Sequence, residues 1–173
     1  GLGLIMSGRV LRVLHSATPH QQEYILDFRN FLWGPLSEEF VFRACMLPVL
    51  LLSGCSASAA IVITPFFFGA AHAHHVLQHL RKRGVQLQAA VLSVGFQLIY
   101  TTLFGMYSAY LFVRTGHLLP VFLVHAFCNL MGFPALDEVP DHPRRTVIAV
   151  CFVGGLVLFL LLLQPLTDPH IYS

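Results

Sequence analysis

The chain has 173 residues, of which 56% are hydrophobic and only 10% charged, with a formal net charge of +2 at pH 7 and a mean hydropathy of +0.72. A soluble domain carries about 25% charged residues, so this composition excludes a surface that faces water on all sides and makes lipid part of the solvent. The small positive charge sits in short loops rather than along one amphipathic face, which excludes nucleic acid as a partner and fits membrane topology.

In chain order, residues 1–14 are apolar but short, interrupted by Arg9 and Arg12, and read as the end of a longer helix. Gly1 stands where an initiator Met would, and no signal-peptide pattern follows it, so a piece of a longer chain is expected. Residues 15–23 read as a polar loop, 24–33 as a mixed stretch and Gly34-Pro35 as a breaker. Ser37 is the expected N-cap of a helix over 37–52, which Ser53-Gly54 ends. A second helix is expected over 57–80, with Pro65 tolerated as it is in membrane helices, closed by Arg81-Lys82-Arg83-Gly84. A third spans 85–113 and a fourth 118–131. A Pro-rich polar loop carries Asp137, Glu138, Asp141, Arg144 and Arg145, and the segment 146–163 is apolar throughout and long enough to cross a bilayer. The expected fold is all-α, a polytopic transmembrane helical bundle with about five membrane helices. It forms a single membrane-embedded domain over residues 1–173.

The cysteines (Cys45, Cys55, Cys128 and Cys151) form no C-x-x-C pair and read as small buried hydrophobes, neither a thiolate metal site nor a disulfide framework. Loop charge gives an orientation. The Arg81-Lys82-Arg83 loop and the Arg144-Arg145 loop are two crossings apart and share a side, which the positive-inside rule assigns to the cytosol.

Ionisable groups inside membrane segments are costly and read as functional by default. Three groups stand out. In Glu38-Glu39-Phe40-Val41-Phe42-Arg43, Glu39 and Arg43 are four apart and share a helix face, leaving Glu38 without a basic partner in its own helix. A carboxylate in an apolar site can act as a base near neutral pH. The plainer alternative is that both acids favour the positive end of a helix starting at Ser37. In Phe68-Gly69-Ala70-Ala71-His72, Phe68 and His72 are one turn apart, with small residues between them that allow close helix approach. His74, His75 and His79 lie near the basic loop and read as interfacial. In His125-Ala126-Phe127-Cys128-Asn129, His125 and Asn129 share a face and can donate to one developing oxyanion, or else clamp two helices together. The expected topology puts all three groups in the cytosolic half of the bilayer.

These motifs, E-E-x-x-x-R, F-x-x-x-H and H-x-x-x-N in that order on separate hydrophobic helices, resemble those of the type II CAAX prenyl endopeptidases, glutamate-type intramembrane proteases related to bacteriocin self-immunity proteins. The resemblance covers residues 38–129. It implies an all-helical membrane fold of about eight helices, of which this chain would hold a carboxy-terminal part. It implies cleavage after a farnesyl- or geranylgeranyl-cysteine with release of the last three residues. The substrates would be prenylated CAAX proteins of the small-GTPase type, presented at the cytosolic face of the endoplasmic reticulum membrane. Carried over by position, Glu38, helped by His72, activates a water. His125 and Asn129 stabilise the oxyanion. Glu39 with Arg43 braces the helix, and Phe68 packs on His72. Both Glu38 and Glu39 remain candidates for the base. No cofactor and no metal is implied. Two rivals predict otherwise: a zinc peptidase using His72, His125 and a glutamate, although no H-E-x-x-H is present, and an inactive scaffold or immunity-type relative, or a shortened form, that keeps these residues as polar helix glue.

Overall fold

The computed structural model describes residues 18–72 and 87–172, and among these it is all helical, with no strand. The first helix, α1 (Pro19–Phe28), begins where a polar loop was expected. Thr18 caps it: its Oγ1 accepts from the Gln21 backbone at 3.4 Å, and Gln21 Oε1 accepts from the Thr18 N–H at 2.9 Å. Pro19 fills the first helical position, where a missing N–H costs nothing. The start signal was therefore in the sequence, as Thr-Pro-x-Gln, but its polar residues disguised it as loop.

The chain does not break at Gly34-Pro35, and Ser37 is not an N-cap. Helix continues through a π-helical stretch (Arg29–Trp33), α2 (Gly34–Glu39), a second π-helical stretch (Phe40–Met46) and α3 (Leu47–Leu52). Each widened stretch is followed directly by a segment with proline at its start, Pro35 in α2 and Pro48 in α3. A proline in an unbroken α-helix collides with the carbonyl four residues back. A π turn shifts the register by one, so that Gly34 N–H bonds Arg29 O and Leu47 N–H bonds Phe42 O. The helix accommodates both prolines by this local widening. Gly34 belongs to the same device: a Cβ there would lie 2.9 Å from Arg29 O. Ser37, inside the helix, donates its hydroxyl back to Gly34 O at 3.0 Å.

Next come α4 (Ala57–His72), α5 (Leu87–Thr115), α6 (Leu118–Met131), α7 (Arg145–Leu166) and a final turn, α8 (Pro169–Tyr172). The helices expected over 85–113, 118–131 and 146–163 are present, with ends moved by a few residues at most. Gly95–Thr115 within α5 and all of α7 are long and apolar enough to cross a membrane, whereas the apolar part of α4 and α6 are shorter.

The bundle is organised around α4, α5 and the 19–52 run. Fully buried Leu47, Ala60 and Ala109 pack with Leu50, Ile61 and Phe112. Ala60 meets Ala109 in that cluster while Pro65 faces Gly105, so α4 and α5 run antiparallel. Gly105 makes this approach possible: a Cβ there would stand 3.0 Å from Pro65 Cβ. Gly116, at φ +68°, turns the chain between α5 and α6. Phe96 and Tyr100 then meet Phe133 at one level, and Phe104 meets His125 at another, so α6 runs antiparallel to α5.

Candidate active site

Glu38 and Glu39 lie in the middle of the 19–52 helical run, between its two widened stretches. Helix-terminus stabilisation therefore does not account for them, because no helix begins there. Glu39 is fully buried, and so is Arg43 one turn on; Arg43 Nε lies 3.0 Å from Glu39 Oε2. The contact is close but not aligned as a directed hydrogen bond, so its role is charge neutralisation at short range. The other carboxylate oxygen, Oε1, lies 2.7 Å from His125 Nδ1, reaching from the 19–52 run to α6.

That contact decides the chemistry of the imidazole. A carboxylate held by an arginine accepts, so Nδ1 carries the hydrogen. The remaining nitrogen, Nε2, faces Glu38 Oε2 at 3.9 Å, beyond direct hydrogen-bond reach. Glu38 is the accessible member of the pair, with its side chain 23% exposed against 0% for Glu39. His125 thus stands between two carboxylates of different character, one locked and one open. Phe104 of α5 closes a further side of the ring, edge to face at 4.9 Å between centroids and 65° between planes.

Asn129 Nδ2 donates one hydrogen bond to the backbone carbonyl of Asn30 at 2.9 Å. Asn30 lies in the first π stretch, where the altered register frees carbonyls from α-helical pairing.

Phe68 and His72 end α4, and their side chains lie outside the described residues, as do His74, His75, His79 and the Arg81-Lys82-Arg83 loop. The backbone register still constrains His72. It is seven residues beyond Pro65, about 10 Å along the helix axis. Asn129 is four residues beyond His125, about 6 Å in the same direction. The antiparallel pairings put both near the level of Gln97 and Tyr100 in α5.

Of the residues singled out in sequence, the structure brings Glu38, Glu39, Arg43 and His125 into one cluster. Three participants carried no motif: Phe104 against the imidazole, Asn30 under Asn129, and Gly34, which permits the turn that contains Asn30. Only Gly34, beside Pro35 and before an acidic pair, left a trace in sequence. No group of three or more His, Cys, Asp or Glu among the described residues is placed to share a metal ion.

Residues 20–131 match the family described as type II CAAX prenyl endopeptidase, Rce1-like. The chain is 50% identical over 146 residues to CAAX prenyl protease 2 of Homo sapiens, covering 84% of this chain and 44% of that protein. It is 42% identical to CAAX prenyl protease 2 of Arabidopsis thaliana, over 84% of this chain and 46% of that protein. With a probable CAAX prenyl protease 2 of Schizosaccharomyces pombe the identity is 46%, over 78% of this chain and 50% of that protein. The chain spans about half the length of these curated relatives. No solved structure matches it.

Proposed function

Since the chain belongs to the Rce1-like family of type II CAAX prenyl endopeptidases, we propose that it carries the reaction centre of an intramembrane endopeptidase acting on prenylated CAAX proteins. The peptide bond after the farnesyl- or geranylgeranyl-cysteine is cut and the terminal tripeptide leaves. The observation that carries this reading is His125, set between buried, arginine-held Glu39 and open Glu38.

Glu38 is the base. It is accessible and is not held by Arg43 at short range, so a water can reach it and lose a proton to it as the oxygen attacks the scissile carbonyl. His72, at the end of α4, helps to hold that water. His125 stabilises the oxyanion from Nε2, the nitrogen that the contact of Nδ1 with Glu39 leaves facing the space beside Glu38. Asn129 is the second donor. Its amide nitrogen has two hydrogens, one of which is on Asn30 O. When the tetrahedral intermediate collapses, the carbon–nitrogen bond breaks and Glu38 returns the proton to the departing amine. Glu39 and Arg43 act as the brace.

The same reading makes residues 1–173 part of one membrane-embedded domain of the longer protein, with about five membrane segments in this chain. It belongs in the endoplasmic reticulum membrane with the site on the cytosolic side, supported by the two basic loops and by cytosolic presentation of prenylated tails.

The test is cleavage of a farnesylated CAAX peptide by membranes containing the full-length protein, beside Glu38→Ala at matched abundance. Wild type is expected to release the tripeptide, and Glu38→Ala to lose at least about 10²-fold in rate. A well-expressed wild type that leaves the peptide intact would overturn the proposal. So would a Glu38→Ala protein that cleaves normally.

A further inference from the structure

We infer that Phe104 is a positioning residue for His125, and that the Gly105–Pro65 contact next to it anchors α5 so that it can act as one. The inference rests on the proposed role of His125 and goes one residue further out.

The hydrogen bond from Nδ1 to Glu39 fixes one point of the imidazole. With the covalent tether at Cβ, what motion the ring has is swing in χ1 and χ2, and such a swing moves Nε2 relative to Glu38 and to any substrate carbonyl between them. A packed contact on the ring narrows that swing. Phe104 supplies it as an inclined aromatic edge, 4.9 Å from the imidazole centroid. The contact comes from a third element: Glu39 is in α2, His125 in α6 and Phe104 in α5. A positioning contact is only as good as its support, and here the support is backbone. The next residue, Gly105, is packed so closely on Pro65 that a Cβ would come within 3.0 Å of the proline ring, which fixes both the height and the rotation of α5 at this turn. One turn further on, Ser108 is fully buried, so the same face of α5 is held against the bundle beyond Phe104. Among the described residues, Glu38, Glu39 and, behind Glu39, Arg43 are ionisable groups that face His125.

The experiment compares Phe104→Leu, Phe104→Met and Phe104→Tyr in the full-length protein, with abundance matched in membranes and a farnesylated peptide as substrate. Leu and Met keep the volume apolar but remove the ring, whereas Tyr keeps the ring. Phe104→Leu and Phe104→Met are expected to lower kcat about tenfold while KM stays within about twofold, the signature of a misaimed group rather than a lost binding surface. The pH profile of kcat should move as well, and Phe104→Tyr should restore most of the rate. A second readout does not need cleavage: carbethoxylation of His125, followed by mass spectrometry, should speed up several-fold in Phe104→Leu and not in Phe104→Tyr. Unchanged kcat and pH profile in Phe104→Leu would overturn the inference, as would a change confined to KM, or a Tyr variant as impaired as Leu. Should the wild type prove inactive, the proposed function fails on its own and the carbethoxylation rates still decide this one. Equal rates in all variants would refute it.

Discussion

Among the described residues, every buried ionisable side chain lies in the stretch from Glu39 to His125, whereas Arg145–Leu166 buries no side chain at all. Both regions are apolar helix. In water, the second would be the anomaly, a bare hydrophobic rod. In lipid the logic is reversed: an apolar helix needs no protein partner, while a helix bearing Glu, Arg or His must find one inside the bundle. The contacts follow that rule. α7 meets the bundle at isolated points such as Tyr107–Phe159, at 5.4 Å between rings, and Arg114 Nη2 on Gln164 O at 3.3 Å. Helices α2, α5 and α6 are instead joined through Glu39, His125 and Phe104. The family match, over 20–131, takes in Glu39, Phe104 and His125 and ends before α7. Order in this chain is specified by its polar exceptions and its closest backbone approaches, not by its hydrophobicity.

That contrast is easiest to break at Arg43. Removing one member of a buried ion pair leaves the other charge without compensation, at a cost of about 3–5 kcal/mol. Arg43→Ala should therefore unfold at markedly lower temperature in detergent, or fail to accumulate in membranes. The double variant Glu39→Gln, Arg43→Met removes both charges and should be the more stable of the two. Thermal unfolding of the pair checks this, and a double variant no better than Arg43→Ala would show that the ion pair is not what the helix needs.

Gly105→Val tests the backbone side of the comparison. Two methyl groups would be forced on a contact where a Cβ alone would already stand 3.0 Å from Pro65 Cβ. Overpacking of this kind costs about 1–3 kcal/mol. The loss should appear as a lowered melting temperature together with reduced cleavage, since α5 carries Phe104 to the site. A Gly105→Val protein with unchanged stability would mean that α4 and α5 separate freely.

The sequence made the chemistry more legible than the helix ends. Glu39 and Arg43 could be paired from their spacing, because four residues bring side chains together on an α-helix, and the pair survives although a π stretch begins between them. His125 could be chosen because a histidine in an apolar helix needs a reason. What sequence could not give was the continuity of 19–52. Pro35 and Pro48 each point to a break, and only the widened turns before them let the helix run on. Nor could it give the partner of Asn129, because a backbone carbonyl freed by a π turn has no signature in residue type. Phe104 is one phenylalanine among fifteen, and only the register of α5 against α6 makes it distinct.

The smallest expected effect is the one that separates the regions most sharply. Leu161 of α7 is 68% exposed and Leu47 of the 19–52 run is 0% exposed, though both are leucines in helices of an apolar chain. Truncating Leu47 opens a cavity that packed neighbours cannot fill, a loss of about 2–5 kcal/mol. Leu161→Ala exchanges a side chain for acyl chains or detergent and should change stability by no more than about 0.5 kcal/mol, as an exposed substitution does elsewhere. Side-by-side melting of the two variants gives the ratio directly. If Leu161→Ala proves as damaging as Leu47→Ala, then α7 is held by contacts with another part of the full-length protein, and its bareness is a property of this stretch of chain rather than of the assembled protein. A negligible effect in the full-length protein would make α7 a lipid-facing helix, carrying no share of the packing that aligns Glu38, Glu39 and His125.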